Sequence, residues 1–235
     1  MKTNPEKISD EITKNIQSIR QTIQNTAENS GKNPTDIKLL AVSKTRTATD
    51  IQLAYHAGQI DFGENYLKEA LDKIKALQDL PIIWHFIGQI QSNKTRHIAE
   101  NFSWIHTLSS LKHAQRINEQ RPSSLPPVNV CIQVNIDEEE TKGGLFVNDV
   151  ETLAHQIQGL PNLKLRGLMA IPKVSKIANT QRQAFHKLSS LMSTLNKQGY
   201  NLDTLSMGMS GDFTVAIEEG STIVRIGTAI FGKRE

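Results

Sequence analysis

The chain has 235 residues, a length at which single α/β barrels are common and two well-formed domains are uncommon. The 27 basic and 24 acidic residues give a formal net charge of +3, and 37% of the residues are hydrophobic. This composition excludes a disordered chain, a collagen-like fibre and a charged nucleic-acid-binding tail. Because basic and acidic residues are interleaved and aromatic residues are only 5% of the chain, we expect no nucleic-acid partner.

The sequence also indicates the cellular compartment. Cys131 is the single cysteine, which excludes an intrachain disulfide and a Cys-rich zinc site, and a lone thiol suits a reducing cytosol. Residues 1–7 lack the apolar core and small-residue cleavage site of a signal peptide. No stretch approaches the roughly 18 apolar residues of a membrane span. We therefore expect a cytoplasmic protein without membrane contact.

The first predicted element is a helix within residues 1–30. Its apolar stripe consists of isoleucines at spacings of 4, 4, 3 and 4, namely Ile8, Ile12, Ile16, Ile19 and Ile23. A coiled-coil partner is one interpretation of such a stripe, but it extends over barely about three heptads. We expect an extra N-terminal helix that packs on a larger body within the same chain.

From residue 37 onward, short β-branched runs alternate with longer amphipathic stretches, the pattern of βα units in a parallel sheet. Eight strands are predicted, at residues 37–43, 60–63, 82–88, 104–108, 128–136, 163–171, 204–207 and 223–226. Seven helices are predicted, at 49–57, 66–77, 93–101, 112–120, 149–157, 180–198 and 213–219. Eight strands favour an α/β fold of the (β/α)₈ TIM-barrel type over an open doubly wound sheet. No linker divides the chain, so we expect residues 1–235 to form a single domain.

A lysine follows the first predicted strand directly. In a barrel, the loops after the strands converge on one mouth, so Lys44 would lie at its rim. A partly desolvated lysine loses its proton more readily and can form a Schiff base with a carbonyl compound. From this position alone, a rim lysine in solvent is the favoured alternative.

The ends of strands seven and eight carry glycines and hydroxyl groups. Strand seven runs into SMGMSGD at 206–212, and strand eight into RIGT at 225–228. Glycine permits close backbone approach, and hydroxyls donate to phosphate oxygens. Barrels often bind phosphate after these two strands, although such loops also make ordinary helix caps. A rim lysine opposite a phosphate cradle indicates an aldehyde cofactor that bears a phosphate.

Five segments then resemble, in order, the YggS/PROSC family of pyridoxal-phosphate-binding proteins. They are AVSKT at 41–45, FGENY at 62–66, WHFIGQIQSNK at 84–94, SMGMS at 206–210 and VRIGTAIFG at 224–232. The resemblance implies a barrel like the N-terminal domain of alanine racemase, with pyridoxal 5′-phosphate (PLP) bound as an aldimine on Lys44. It also implies a role in PLP homeostasis without an established catalytic reaction, and PLP-dependent apoenzymes as candidate recipients. One departure is Arg46-Thr47, where relatives often carry lysine and then proline.

The resemblance also assigns roles to single residues. It puts Ser206, Ser210, Gly227 and Thr228 around the phosphate, Arg225 against the pyridine nitrogen and Asn65 against the ring. A guanidinium donates hydrogen bonds but cannot accept them, so the pyridine nitrogen would stay unprotonated. PLP would then be a weak electron sink. The alternative for Arg225 is a salt-bridged residue inside or beneath the barrel.

Other polar residues are expected to be structural. His85 and His106 lie on strands, where hydrogen-bonded barrel histidines are favoured over metal ligands, and we predict no metal. Cys131, on strand five, is expected to be an inert core thiol. Lys142 follows strand five and could meet PLP transiently at the rim, but a plain solvated loop is favoured.

Three functions remain open from the sequence. The leading hypothesis is a non-catalytic PLP carrier or regulator that acts as a monomer. The second is a PLP-dependent amino-acid racemase, although the chain stops at Glu235, just after the strand-eight loop, and only Tyr66 lies near the mouth as an opposite-face acid. The third is an interaction protein whose barrel binds no PLP.

Overall fold

A computed structural model of the chain describes residues 5–139, 142–173, 175 and 177–233. Eight parallel strands form a closed barrel in chain order, and β1 pairs with β8 to close it. Their bounds are β1 Lys38–Val42, β2 Asp61–Glu64, β3 Ile83–Phe86, β4 Trp104–Leu108, β5 Val128–Gln133, β6 Leu163–Met169, β7 Thr204–Ser206 and β8 Ile223–Ile226. The predicted (β/α)₈ barrel is confirmed.

Helices alternate with the strands around this barrel. They are α1 Pro5–Asn29, α2 Ala48–His56, α3 Leu67–Ala76, α4 Thr95–Asn101, α5 Leu111–Gln120, α6 Val150–Gln158, α7 Ala178–Lys197, α8 Phe213–Glu218 and α9 Thr228–Phe231. Short 3₁₀ turns at Pro34–Asp36, Ser92–Lys94 and Val147–Asp149 precede β1, α4 and α6. Several strands end earlier than predicted: β5 stops at Gln133 and β6 at Met169, because the apolar residues that follow them belong to mouth loops. The sequence pattern did not predict α9.

The leading helix packs on the barrel, as the isoleucine stripe predicts. Ile12, Ile16, Ile19 and Ile23 are buried against the body of the chain. Asn15 adds a hydrogen bond from its Nδ2 to the carbonyl oxygen of Ile230, at 2.9 Å. Helix α1 therefore lies against α2, α8 and α9, beside the seam at which β8 meets β1.

The space inside the barrel holds two kinds of side chain. Its apolar part is a small cluster of Leu40, Trp104, Cys131, Met169 and Ile223. Complete burial raises the pKa of the Cys131 thiol to about 12, which matches the inert core thiol that was predicted. The rest of the interior is polar, and its members come from strands far apart in sequence. In the part of the chain that the structure describes, no helix is both long and apolar enough to cross a bilayer.

Candidate functional site

A cavity of about 300 Å³ opens at the carboxyl ends of the strands. Six of the seven predicted site residues line it, namely Lys44, Asn65, Ser210, Arg225, Gly227 and Thr228. Its apolar walls are Val42, Ile87, Met169, Ile171 and Met209. A concave apolar site with a few convergent polar groups is typical of small-molecule binding.

Lys44 lies in the turn that follows β1, and the backbone on both sides of it is held. The next residue, Thr45, has a φ of 64°, in the left-handed region that non-glycine residues seldom adopt. Its N–H donates to Oε1 of Glu69 on α3, at 2.6 Å. On the other side, the carbonyl oxygen of Ser43 accepts a hydrogen bond from Nζ of Lys73, at 2.8 Å. Helix α3 thus fixes the position of the Lys44 turn.

A buried ion pair supports this turn. Nζ of Lys73 lies 2.8 Å from Oε1 of Glu64, and the Ser43 hydroxyl donates to the same oxygen at 2.6 Å. Burial raises the pKa of Glu64, while the hydrogen bonds from Lys73 and Ser43 oppose the rise. Sequence reasoning missed this pair, although Glu64 is in the FGENY segment, because nothing in the local pattern of α3 marks Lys73 as buried.

The loop that carries Asn65 packs closely against Gly88, which lies two residues after β3. A Cβ atom at Gly88 would lie 1.9 Å from the carbonyl oxygen of Asn65. No other residue fits at this position without moving the loop between β2 and α3. Gly88 therefore sets how closely Asn65 approaches the mouth.

The loops after β7 and β8 form another wall of the cavity. Gly208 has a φ of 93°, and Oδ1 of Asp212 accepts a hydrogen bond from the N–H of Met209 at 2.6 Å, which shapes the turn before α8. The side chains of Ser210 and Thr228 belong to solvent-exposed residues at the mouth. At Gly227, a Cβ atom would come within 3.2 Å of the carbonyl oxygen of Val42. This wall thus offers two hydroxyls, and the backbone at Gly227 lies close to β1.

Arg225 forms the floor of the cavity and is 5% exposed. Its Nη1 donates to the carbonyl oxygen of Ser206 at 2.5 Å and to the Ser206 hydroxyl at 2.8 Å, and Nη2 donates to the carbonyl oxygen of Ala170 at 2.9 Å. Burial lowers the pKa of Arg225 to about 10, so the guanidinium stays charged at neutral pH. Among the described residues, no carboxylate forms a salt bridge with it, which contrasts with the salt-bridged alternative.

Ser206 is the predicted site residue that does not line the cavity. It is fully buried, and its hydroxyl lies between Nη1 of Arg225 and Nδ1 of His106, at 2.8 and 2.7 Å. The expected contact with a phosphate therefore has no support from its position, because the hydroxyl is already engaged below the cavity floor.

The two strand histidines are hydrogen-bonded inside the barrel, as predicted. Nδ1 of His85 lies 2.9 Å from Nε2 of His106, and Nε2 of His85 lies 2.9 Å from Oδ1 of Asp61. Within the described ranges, no group of three His, Cys, Asp or Glu side chains could hold a metal ion.

Lys142 and Arg46 are two further basic residues whose positions relative to the cavity the structure shows. Lys142 is paired with Asp137 at 2.8 Å and does not line the cavity. Arg46, which sequence reasoning did not select, does line it, and its Nη2 donates to the carbonyl oxygen of Gly232 at 2.5 Å. Its position two residues after Lys44 is the sequence signal that could have identified Arg46 as a cavity residue. The Arg46-Thr47 departure leaves α2 well started, because Thr47 and Asp50 form a capping box.

Comparisons with known proteins show the family of this chain. The family model for the alanine racemase N-terminal domain matches residues 9–235. The pyridoxal phosphate homeostasis protein of Pseudomonas aeruginosa is 53% identical over 224 residues, which are 95% of this chain and 96% of that one. The Escherichia coli K12 protein of the same name is 46% identical over 228 residues, 96% of this chain and 97% of that one. This chain belongs to the family of pyridoxal phosphate homeostasis proteins.

The resemblance to the YggS/PROSC family is thereby confirmed, and solved structures extend it to the fold. PipY of Synechococcus elongatus, solved with PLP bound, is 33% identical with a TM-score of 0.82, and the match covers 94% of this chain and all 100% of PipY. The alanine racemase of Corynebacterium glutamicum is 17% identical with a TM-score of 0.69, covering 96% of this chain and 61% of that one. The second likeness shows a shared barrel fold and nothing about activity.

Proposed function

We propose that this protein is a PLP homeostasis protein that binds PLP covalently through Lys44 and stores, delivers or regulates the cofactor. The observation that carries the proposal is the convergence of Lys44, Ser210, Arg225, Gly227 and Thr228 on one cavity. The names of the relatives and the PLP bound to PipY support the same ligand.

The polar groups of the cavity fit the parts of PLP. A phosphate dianion needs hydrogen-bond donors, and Ser210, Thr228 and the backbone at Gly227 lie together on one wall. Lys44 emerges on the β1 side and supplies the amine that would attach to the aldehyde carbon. Asn65 lies beside the space left for the ring. Ser206 supports Arg225 rather than the phosphate.

Arg225 favours a carrier over an electron-sink enzyme. Bound PLP withdraws electrons most strongly when its pyridine nitrogen is protonated. A guanidinium that keeps its protons donates to that nitrogen and cannot protonate it fully. Arg225 at the cavity floor therefore supports binding without deep carbanion stabilisation.

The racemase alternative requires a second acid or base that faces Lys44 across the ligand. Among the cavity-lining residues in the described part of the chain, none is Tyr, His, Cys, Asp or Glu. Tyr66 precedes α3, is 56% exposed and does not line the cavity. We therefore propose no amino-acid racemase activity. Turnover at about 1 s⁻¹ or more in contaminant-free protein would restore that alternative.

The wider setting is also part of the proposal. We propose that residues 1–235 form one PLP-binding barrel domain, that the protein is a cytoplasmic monomer, and that PLP-dependent apoenzymes receive its cofactor. No nucleic acid or membrane takes part. A barrel that binds no PLP would instead support the interaction-protein hypothesis.

The test is reconstitution with PLP, followed by borohydride reduction and peptide mapping. We expect the label on Lys44 and its loss in Lys44→Ala. The matched control is Lys173→Ala, since Lys173 is an exposed lysine after β6 whose side chain is 74% accessible. A label that maps mainly to Lys142 or Lys233 contradicts the site, and a wild-type protein that retains no PLP contradicts the function.

A further inference from the structure

A continuous chain of hydrogen bonds runs through the barrel interior below the cavity. Its side chains come from β2, β3, β4, β7 and β8, in the order Asp61, His85, His106, Ser206 and Arg225. The donor–acceptor distances along it are 2.9, 2.9, 2.7 and 2.8 Å. All five residues are buried.

The two ends of the chain determine where every proton lies. Arg225 can only donate, so the Ser206 hydroxyl oxygen accepts from it. The Ser206 oxygen has two lone pairs, so this end alone would let Nδ1 of His106 either donate or accept. The acceptor-only carboxylate of Asp61 at the other end fixes Nδ1 of His106 as the acceptor of the hydroxyl proton. A neutral His106 therefore carries its proton on Nε2.

The same reasoning continues to the far end. Nε2–H of His106 donates to Nδ1 of His85, which leaves the His85 proton on Nε2. That proton points at Oδ1 of Asp61, a carboxylate that can only accept. One arrangement of protons satisfies all four bonds, and in it both histidines are neutral Nε2–H tautomers.

The surroundings keep the histidines neutral. Burial lowers the pKa of His85, and it lowers that of His106 well below the ordinary value, to which the charge of Arg225 also contributes. Lys38 of β1 is a further charged group at the Asp61 end of the hydrogen-bond chain, and its Nζ lies 2.8 Å from Oδ1 of Asp61. A second proton on His85 would place its Nδ1–H against the Nε2–H of His106. A second proton on His106 would place its Nδ1–H against the hydroxyl proton of Ser206.

Two neighbouring strands bring an aromatic ring and a cation close to the histidines. Trp104 of β4 stacks on the His85 ring at a centroid distance of 5.5 Å. The guanidinium of Arg166 on β6 lies over the Trp104 ring at 4.8 Å and is paired with Asp203. The Cys131 thiol of β5 lies in the apolar cluster with Trp104, and its raised pKa keeps it neutral.

We propose that Asp61, His85, His106 and Ser206 are positioning residues that orient the Arg225 guanidinium toward the ring of the bound ligand. Of the five N–H donors of Arg225, three are used by Ser206 and Ala170 among the described residues. The other two donors, on Nε and Nη2, belong to a side chain that lines the cavity. The proposal rests on the proposed function, since Arg225 acts on PLP only if PLP binds there.

The hydrogen-bond chain from Asp61 to Arg225 couples the two ends of the barrel. Asp61 and Lys38 line a second cavity, of about 350 Å³, beside α1 at the amino-terminal ends of the strands. Loss of the Asp61 charge removes the acceptor-only end, so that an amide in its place permits the reversed proton arrangement. In that arrangement the Ser206 oxygen accepts hydrogen bonds from both His106 and Arg225, and its hydrogen bond with Arg225 becomes weaker.

The first test is nitrogen NMR of the two histidine rings in protein without PLP, between about pH 6 and pH 8. We expect both rings to be neutral with the proton on Nε2 throughout this range. A neutral ring with its proton on Nδ1, or a ring that carries two protons in this range, overturns the proposed arrangement of protons. This readout does not depend on any bound ligand.

The second test compares the rate of PLP release from Asp61→Asn and from its matched control Asp203→Asn. Asp203 is a 57% exposed carboxylate at the same end of the barrel and is paired with Arg166. Neither residue belongs to the hydrogen-bond chain. We expect release to be about 2- to 30-fold faster for Asp61→Asn, with a shifted absorption spectrum of bound PLP. We expect the control to match the wild type. Equal release and equal spectra in both variants overturn the coupling to Arg225.

Ser206→Ala provides the second variant if Asp61→Asn does not fold. It removes the hydroxyl next to Arg225 but keeps the carbonyl contact, and we expect the same faster release and spectral shift. An unchanged spectrum and rate contradict the positioning role. If the wild type itself retains no PLP, the proposed function fails, while the NMR result still decides the proton arrangement.

Discussion

The ammonium of Lys73 donates a hydrogen bond to the carbonyl oxygen of Ser43, at 2.8 Å, and so holds the residue that precedes Lys44. The same ammonium lies 2.5 Å from Oε1 of Glu69, which accepts from the N–H of Thr45 on the other side of Lys44. Lys73 and helix α3 thus hold the backbone on both sides of Lys44.

Removal of the Lys73 charge should destabilise the fold. In Lys73→Met, Glu64 would be left as a buried carboxylate without its cation, and its Oε2 already has no hydrogen-bond partner among the described residues. We expect the free energy of unfolding to fall by roughly 3 to 5 kcal/mol, measured by urea denaturation. The double variant Lys73→Met/Glu64→Gln should recover part of the loss.

Lys75→Met is the matched control for that experiment, because Lys75 is an exposed lysine on the same helix. It should change the free energy of unfolding by less than about 0.5 kcal/mol. Equal losses for Lys73→Met and Lys75→Met would show that the buried Lys73–Glu64 pair does not stabilise the fold.

Gly88→Ala should displace Asn65. The added methyl group would lie 1.9 Å from the Asn65 carbonyl oxygen, so the loop between β2 and α3 has to move. We expect a loss of about 1 to 3 kcal/mol in stability together with weaker PLP retention. Gly159→Ala is the control, since its Cβ would meet its nearest atom at an ordinary 3.8 Å. Unchanged PLP retention in Gly88→Ala would separate Asn65 from the ligand.

Ser210→Ala should weaken PLP binding through the phosphate alone. The loss of one hydrogen bond to a charged group costs about 1.5 to 3 kcal/mol, or roughly ten- to a hundredfold in affinity. Pyridoxal, which lacks the phosphate, should bind poorly to the wild type and lose little more in the variant. A variant that binds both compounds more weakly by the same factor would reassign the strand-seven loop to a capping role.

The buried histidines should make stability depend on pH. The folded-state pKa values of His85 and His106 lie below the ordinary 6.5, so the unfolded chain takes up protons first as the pH falls. The free energy of unfolding is therefore highest above pH 6.5 and decreases below it, by up to about 1.4 kcal/mol per pH unit for each histidine, until the folded-state pKa is reached. The raised pKa values of Glu64 and Asp212 act in the opposite sense at lower pH.

Comparison of variants isolates the contribution of the histidines. Urea denaturation between about pH 5 and pH 7 should give a shallower pH dependence for His106→Asn than for the wild type. His97→Gln, which changes a 56% exposed histidine on α4, should keep the wild-type dependence. Parallel curves for His106→Asn and the wild type would mean that the buried ring does not titrate on unfolding.

The sequence predicted the barrel because each βα unit carries its own local signal. The isoleucine stripe of α1 and the alternation of β-branched runs with amphipathic stretches depend on residues within a few positions of each other. Lys44 could be selected in the same way, since it directly follows an apolar strand. The family motifs then connected it with Ser210, Arg225, Gly227 and Thr228, which the structure brings to one cavity.

The sequence by itself therefore determined the fold class, the strand order and the side of the barrel on which the site lies. Only the tertiary structure decided what lies beneath the site. The His106–Ser206 contact joins residues 100 positions apart, and Lys73 reaches Ser43 across 30 positions. Periodicity shows that a strand residue faces inward or outward, but which polar side chains meet inside depends on strand register and barrel closure. For that reason Ser206, expected at a phosphate, lies instead between a histidine and Arg225.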